Sequence, residues 1–200
     1  MEQLLSLIPV FPLVGFLING LGFRKIPKGV AGLIGVAASG LSFLVAIWLL
    51  IQYLQGGQQL ISVSLWEWIT GPSWKIDFSF AADQLTFCML MVVTGVGFLI
   101  HIFSFGYMHE DEGFGKFFAF LNLFLFSMLV LVLGANLLMT FIGWEGVGLC
   151  SFLLIGFWNK NEAYNEAAKK AFVMNRIGDL GFLLGIFLIL FRFSTVQYTK

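Results

Sequence analysis

Six separate apolar runs, each close to the length a helix needs to cross a bilayer, dominate this chain: residues 4–21, 30–54, 85–105, 117–133, 137–158 and 171–191. A spanning helix takes about 20 residues, because each residue rises about 1.5 Å through a hydrocarbon layer about 30 Å thick. Only 11% of the residues are charged, against about 25% in a soluble domain, too few to cover so much apolar surface in water. The expected fold class is therefore an all-α membrane protein with about six transmembrane helices.

The fourth and fifth runs are separated only by Gly134-Ala135-Asn136, a turn composition that fits a tight antiparallel helical hairpin. The one long connection, residues 55–83, breaks the helical pattern. Its alternating stretches Ile61-Ser62-Val63-Ser64-Leu65 and Trp74-Lys75-Ile76-Asp77-Phe78-Ser79-Phe80 flank Thr70-Gly71-Pro72-Ser73. Period-two alternation around a Gly-Pro turn predicts a small extramembrane β-hairpin between the second and third helices, with Trp66, Trp68 and Trp74 at headgroup level. Asp83 is expected to cap the following helix. The chain thus divides into helices 1–2 (1–54), the outer hairpin loop (55–83), helices 3–4 (84–133) and a last pair of helices (137–200).

Orientation follows from lysine and arginine in the short loops, which are retained on the cytoplasmic side. Arg24, Lys25 and Lys28 lie between the first two spans, Lys116 between the third and fourth, and Lys160, Lys169 and Lys170 between the fifth and sixth; the other side holds Lys75, Arg192 and Lys200. Both termini are expected outside, in the periplasm for a bacterial inner membrane, or on the equivalent side of an organellar inner membrane. The N-terminus Met1-Glu2-Gln3 lacks a basic leader and cleavage site and reads as a retained helix.

Zero formal net charge suggests no nucleic-acid partner. Cys88 and Cys150 lie in apolar runs without a Cys-x-x-Cys or His/Cys cluster and read as packing residues. His109-Glu110-Asp111-Glu112 has no second cluster to complete a metal site and reads as a solvated turn. The Gly95-Val96-Gly97 pair lies inside a span, so no dinucleotide site follows, and Asn136, Asn159 and Asn161 read as turn residues.

An ionisable residue in mid-membrane costs about 2.5–3.5 kcal/mol on insertion scales. Glu145, in Gly143-Trp144-Glu145-Gly146-Val147-Gly148, lies roughly 12 Å into the fifth helix with no basic residue within a turn of it. Its partner must come from another helix, or it must spend time protonated, since burial disfavours the charged form. Two readings stand: a proton-exchanging group, or a buried ion pair holding helices in register. Gly143, Gly146 and Gly148 let a neighbouring backbone or water approach.

In the sixth span Arg176 and Asp179 are three apart and share a face. Lys169, two turns before Arg176, extends that face as a polar ladder. Lys169 and Lys170 serve either as a proton uptake route from the cytoplasmic side or as snorkelling, positive-inside lysines. His101, late in the third helix, is either a proton relay or a packing histidine.

Several stretches resemble a known family: Asp83-Gln84-Leu85-Thr86 with Val92-Val93-Thr94-Gly95-Val96-Gly97-Phe98-Leu99-Ile100-His101; Gly143-Trp144-Glu145-Gly146-Val147-Gly148-Leu149-Cys150-Ser151 with Leu153-Leu154-Ile155-Gly156-Phe157; and Lys170-Ala171-Phe172-Val173 with Arg176-Ile177-Gly178-Asp179. They resemble the large antiporter-like subunits, of the subunit L or chain 5 type, of the proton-translocating NADH-quinone oxidoreductase (complex I). The resemblance implies proton translocation through a half-channel that uses Glu145, with Arg176 and Asp179 as a tuning pair beside it. It implies no redox chemistry and no cofactor or metal in this chain, with NADH, flavin, iron-sulfur clusters and quinone in other subunits. The implied partners are other membrane subunits of the complex, especially a neighbouring antiporter-like one, and the bilayer. Members of the family continue through a seventh helix bearing a central lysine, broken helices and a second, inverted channel repeat. The chain is accordingly expected to be the N-terminal portion of a longer or split subunit, with the lysine partner of Glu145 elsewhere. The alternatives are the large subunit of a multisubunit sodium/proton antiporter, which shares the glutamate motif, and an inert assembly or scaffold fragment.

Overall fold

A computed structural model describes residues 2–22, 25–57, 60–71 and 74–198. Met1, Arg24, Pro72, Ser73 and Lys200, named above for the leader, the loop charges and the hairpin turn, lie outside the described residues. The elements are α1 (Glu2–Gly22), α2 (Lys28–Gln55), β1 (Ile61–Thr70), β2 (Lys75–Ala82), α3 (Gln84–Tyr107), α4 (Phe114–Leu133), α5 (Leu137–Ile155) and α6 (Glu162–Phe193). All six helices are long and apolar enough to span a membrane. The protein is a multi-pass membrane protein, all-α among the described residues but for one two-stranded antiparallel sheet between α2 and α3.

The helix α4 is the centre of the bundle. It packs against α1, α2, α3 and α5, whereas among the described residues α6 touches α5 alone of the helices. Half of the most apolar stretch of α4 is buried, 50% against 11% for α6, so most of α6 faces outward. The main core joins Leu5, Ile8, Leu49, Phe87, Leu129, Leu133 and Met139 from five helices with Ile61, Phe80 and Ala82 of the hairpin.

Helix α1 carries Pro9 and Pro12 in its interior. A proline has no N–H and frees the carbonyl four residues before it, which in lipid must find another donor. For Pro12 that carbonyl belongs to Ile8, and the buried Ser42 Oγ of α2 donates to it at 2.6 Å. The helix interruption is thereby turned into an α1–α2 cross-link.

The hairpin pairs Ile61 with Ala82 through Thr70 with Lys75, with irregularities between Ser64 and Trp66 and between Glu67 and Ile69. These shifts turn Trp66 and Trp68 outward, where both are exposed, and Phe78 stacks on Trp66 with ring centroids 4.3 Å apart. Trp74 instead packs beside Ile76, Ile186 and Val196. The first strand runs five residues beyond the alternating stretch read from sequence, to Thr70, because the irregularities reset the alternation. Near the turn Lys75 donates to Glu67 at 2.9 Å, and that hydrogen bond and charge hold the lysine pKa above its ordinary value.

The tight turn at 134–136 is more than a connection. Asn136 is fully buried, accepts from Met139 N at 2.9 Å as the α5 cap, and donates through Nδ2 to Asp77 O at 2.9 Å. Ala135 N donates to Ser79 O, and Leu137 N to Val196 O. One residue therefore ties the start of α5 to β2.

Two helix ends differ from the apolar runs. The fifth helix stops at Ile155 rather than Trp158, closed by Gly156 N on Phe152 O. The sixth begins at Glu162, nine residues before its apolar run, with Asn161 accepting from Ala163 N as its cap. The residues in between are polar but helix-favouring, a class that hydropathy passes over. Lys169 and Lys170 thus lie inside a helix. The loop at 109–112 is also more than a solvated turn: Asp111 accepts from Trp158 Nε1 at 2.8 Å and from Gly113 N at 2.6 Å, and Lys28 Nζ reaches His109 O at 3.4 Å. These bonds join the three lysine-bearing connections on one side of the bundle, opposite the hairpin.

Candidate functional site

Glu145 is the ninth residue of the 19-residue α5, near its midpoint. Its neighbours place it. Gly143 packs on the backbone of α4 at Leu131, where a methyl group would collide, and a Cβ on Gly146 would meet Ser127 Oγ of α4 at 2.6 Å. These glycines seat α5 flush on α4, so Glu145 is directed toward α6, where its partner waits. Arg176 Nη1 forms an ion pair with Glu145 Oε2 and stands 3.8 Å from Asp179 Oδ2, one turn further along α6. One guanidinium is shared between carboxylates of two helices.

The carboxylates are held differently. Asp179, with 7% of its side chain exposed, also accepts from Trp144 Nε1 at 2.8 Å. Glu145, at 22%, has Arg176 as its partner. Aromatic rings line the cluster on part of its surface, and 42% of the Arg176 side chain stays exposed. Phe182 lies edge-on to both Trp144 and Phe141, and the Arg176 guanidinium lies over the Phe172 ring, 4.8 Å from its centroid.

Of the residues singled out in the sequence, Glu145, Arg176 and Asp179 come together. Arg176 stands beside Asp179, as the three-residue spacing suggested, and the α5–α6 packing brings Glu145 to it as well. Lys169 lies on the same side of α6, yet the ladder is interrupted: Phe172 comes between Lys169 and Arg176 and packs on Phe152, 5.3 Å between centroids. Lys170 is exposed. His101 is not part of the cluster. It sits in α3, which contacts neither α5 nor α6 among the described residues, hydrogen-bonds through Nδ1 to Gly97 O at 2.7 Å, and packs against Phe118 of α4. Trp144 as the donor to Asp179 was missed. The signal was its place beside Glu145, which reads equally well as an aromatic facing lipid. Among the described residues no group of three His, Cys, Asp or Glu side chains is arranged for a metal.

The family described as NADH-ubiquinone oxidoreductase (complex I), chain 5 N-terminus, matches residues 68–118, and that described as NADH:quinone oxidoreductase/Mrp antiporter, TM, matches 134–200. The two cover more than half of the chain. The chain is 40% identical over 198 residues to NADH-quinone oxidoreductase subunit L of Escherichia coli (strain K12), covering 99% of this chain and 32% of that protein. It is 44% identical over 199 residues to the protein of the same name from Pseudomonas aeruginosa, covering 98% of this chain and 32% of that protein. This chain belongs to the antiporter-like subunit family.

The fold recurs in chains of larger membrane assemblies. The Mrp complex from Dietzia sp. DQ12-45-1b superposes with a TM-score of 0.80 at 24% identity, covering 98% of this chain and 20% of that one. An archaeal membrane-bound sulfane sulfur reductase superposes with a TM-score of 0.78 at 22% identity, covering 98% and 29%. The antiporter-like chain spans about a third of the length of the curated relatives it matches.

Proposed function

We propose that this chain forms part of a membrane subunit of an NADH:quinone oxidoreductase and takes part in proton translocation, with Glu145 as the group that exchanges the proton. The observation that carries this reading is the shared arginine. A carboxylate inside a spanning helix can lose its charge cheaply only if its cationic partner is not stranded, because a charge left unpaired away from water costs several kcal/mol. When Glu145 takes up a proton, Arg176 keeps Asp179, and Asp179 is fixed in place by Trp144 Nε1. Asp179 and Arg176 then act as a positioning pair, and Glu145 is free to alternate between states. Lys169 and Lys170 stand, in this reading, at the cytoplasmic entry, and His101 is a relay remote from the cluster.

The lysine-bearing connections lie on the cytoplasmic side and the N-terminus and hairpin outside, following the retention of positive loops. Other membrane subunits of the complex are the partners, with the redox cofactors held elsewhere in the assembly. The test is Glu145→Gln in the assembled complex, with proton pumping followed by acidification of inverted membrane vesicles. Pumping is expected to fall to the leak level while the complex still assembles; pumping at the unmodified rate overturns the proposal. The match at 134–200 names Mrp antiporters as well, so the large subunit of a sodium/proton antiporter is the second reading. Co-purification with an NADH-oxidising peripheral arm separates the two.

A further inference from the structure

Two lysines from different helices converge on one cavity at the lysine-bearing rim of the bundle. Lys116, in the first turn of α4, and Lys169 of α6 line a space of about 280 Å³ together with Phe120, Phe152, Asn159 and Asn165. That is far more than the ~30 Å³ a single water takes up in the liquid. Among the described residues the ion pairs are Lys75 with Glu67 and Arg176 with Glu145 and Asp179; neither Lys116 nor Lys169 has a carboxylate partner, and none lines the cavity. Instead Lys116 Nζ lies 5.4 Å from the Phe120 ring centroid and 5.9 Å from that of Phe157.

The second observation lies alongside. A groove of about 350 Å³ between α1 and α4, bounded by Phe16, Leu17, Gly20, Leu21 and Ala119, shares Lys116 and Phe120 with the first cavity. Its walls are apolar apart from that lysine. A pocket with two uncompensated cations thus adjoins an apolar channel at the lysine-bearing end of the bundle.

We infer that the two cavities together bind one anionic phospholipid, its phosphate between the Lys116 and Lys169 ammonium groups and an acyl chain in the α1–α4 groove. The chemistry matches on both counts. A phosphate supplies the charge the two lysines lack, Asn159 and Asn165 line the headgroup pocket, and the chain fills a groove that water would leave unfavourably wetted. Basic pockets between helices on the cytoplasmic face are a general form of lipid recognition. Bound there, the lipid joins α1, α4 and α6, of which α1 and α6 do not otherwise touch among the described residues.

The test uses the full chain reconstituted in phosphatidylcholine vesicles carrying a trace of either spin-labelled phosphatidylglycerol or spin-labelled phosphatidylcholine. The immobilised fraction of label is read by electron paramagnetic resonance. Phosphatidylglycerol is expected to be held in excess, by about fivefold for each of the two lysines. Lys116→Gln with Lys169→Gln removes the excess, and the two Lys→Arg changes keep it. Gly20→Leu, which fills the groove and leaves both charges, weakens retention of phosphatidylglycerol with the same helical content by circular dichroism. Equal retention of the two lipids, an excess that survives the double Gln variant, or full displacement of the label by inorganic phosphate each overturns the inference. Should the Gln variants fail to fold, Gly20→Leu and the Arg pair still decide it: retention unaffected by the first, or lost in the second, sinks the proposal.

Discussion

Arg176 answers to two carboxylates, and the energetics of the site follow from how unequally they are held. Asp179 has Trp144 Nε1 at 2.8 Å as a further donor, while Glu145 faces the guanidinium from another helix. Residues in one ion-pair network do not contribute additively. A double-mutant cycle on thermal unfolding, Glu145→Gln against Arg176→Gln, is therefore expected to give a coupling of about 1–3 kcal/mol. Additivity to within ~0.5 kcal/mol would mean that the pair holds nothing. Asp83 offers a simpler case outside the spanning segments. Its carboxylate accepts from Thr86 N at 2.8 Å, and that backbone hydrogen bond lowers its pKa below the ordinary 3.8. A depressed carboxylate contributes stability above the ordinary value and loses it as pH falls through the folded value. Asp83→Ala is expected to cost about 1 kcal/mol at neutral pH, and the gap from the parent should close below pH 3.8. Asp83→Asn, which still caps, should show neither loss. The cap was legible because it depends on local chain geometry alone. The partner of Glu145 was not, because nothing in the spacing along α5 says which face of α6 it will meet.

Among elements, the six helices were legible from length and hydropathy, since lipid leaves so few alternatives for an apolar run of that size. What escaped is where polar sequence continues a helix and where a side chain repairs a backbone. The start of α6 is the first kind: residues 162–170 are helical by propensity and capped by Asn161, yet too polar to register as a span. Asn136 is the second kind, a turn residue by composition that proves to be a buried tie between α5 and β2. Ser42 is the third case and the most testable. Its hydroxyl supplies the donor that Pro12 withholds from Ile8 O, at 2.6 Å in the buried α1–α2 seam. Ser42→Ala removes that donor without adding bulk, and an orphaned buried carbonyl costs about 1–3 kcal/mol. The thermal unfolding midpoint should drop accordingly. In a Pro12→Ala background, where the helix supplies its own N–H to Ile8 O, the same serine change should have much less effect. An equal drop in both backgrounds would show that the serine matters for some other reason.

At the scale of the whole molecule, the hydrogen bonds sort the connections into two sets before any charge is counted. Lys28 reaches the 109–110 backbone and Trp158 reaches Asp111, which places the α1–α2, α3–α4 and α5–α6 connections on one side. The hairpin bonds to Ala135 and Asn136, which places it with the α4–α5 turn on the other. The alternation read from the sequence is thus built into the bundle, and only its absolute sense rests on the positive-inside argument, with Lys25, Lys28, Lys116 and Lys160 at the lysine-bearing end and Lys75 at the hairpin. Single cysteines decide that sense. With Cys88 replaced by serine and Cys150 left in place because it is buried, Lys160→Cys and Glu67→Cys put one thiol at each end of the bundle. In intact cells a membrane-impermeant maleimide should label position 67 and spare position 160, and in inverted vesicles the pattern should reverse. Labelling of position 160 from outside would invert the orientation and move the two-lysine cavity to the other face. Labelling of both positions from one side would contradict the bundle itself, because no set of six spanning helices joined in this order can bring the hairpin and the α5–α6 connection to the same surface.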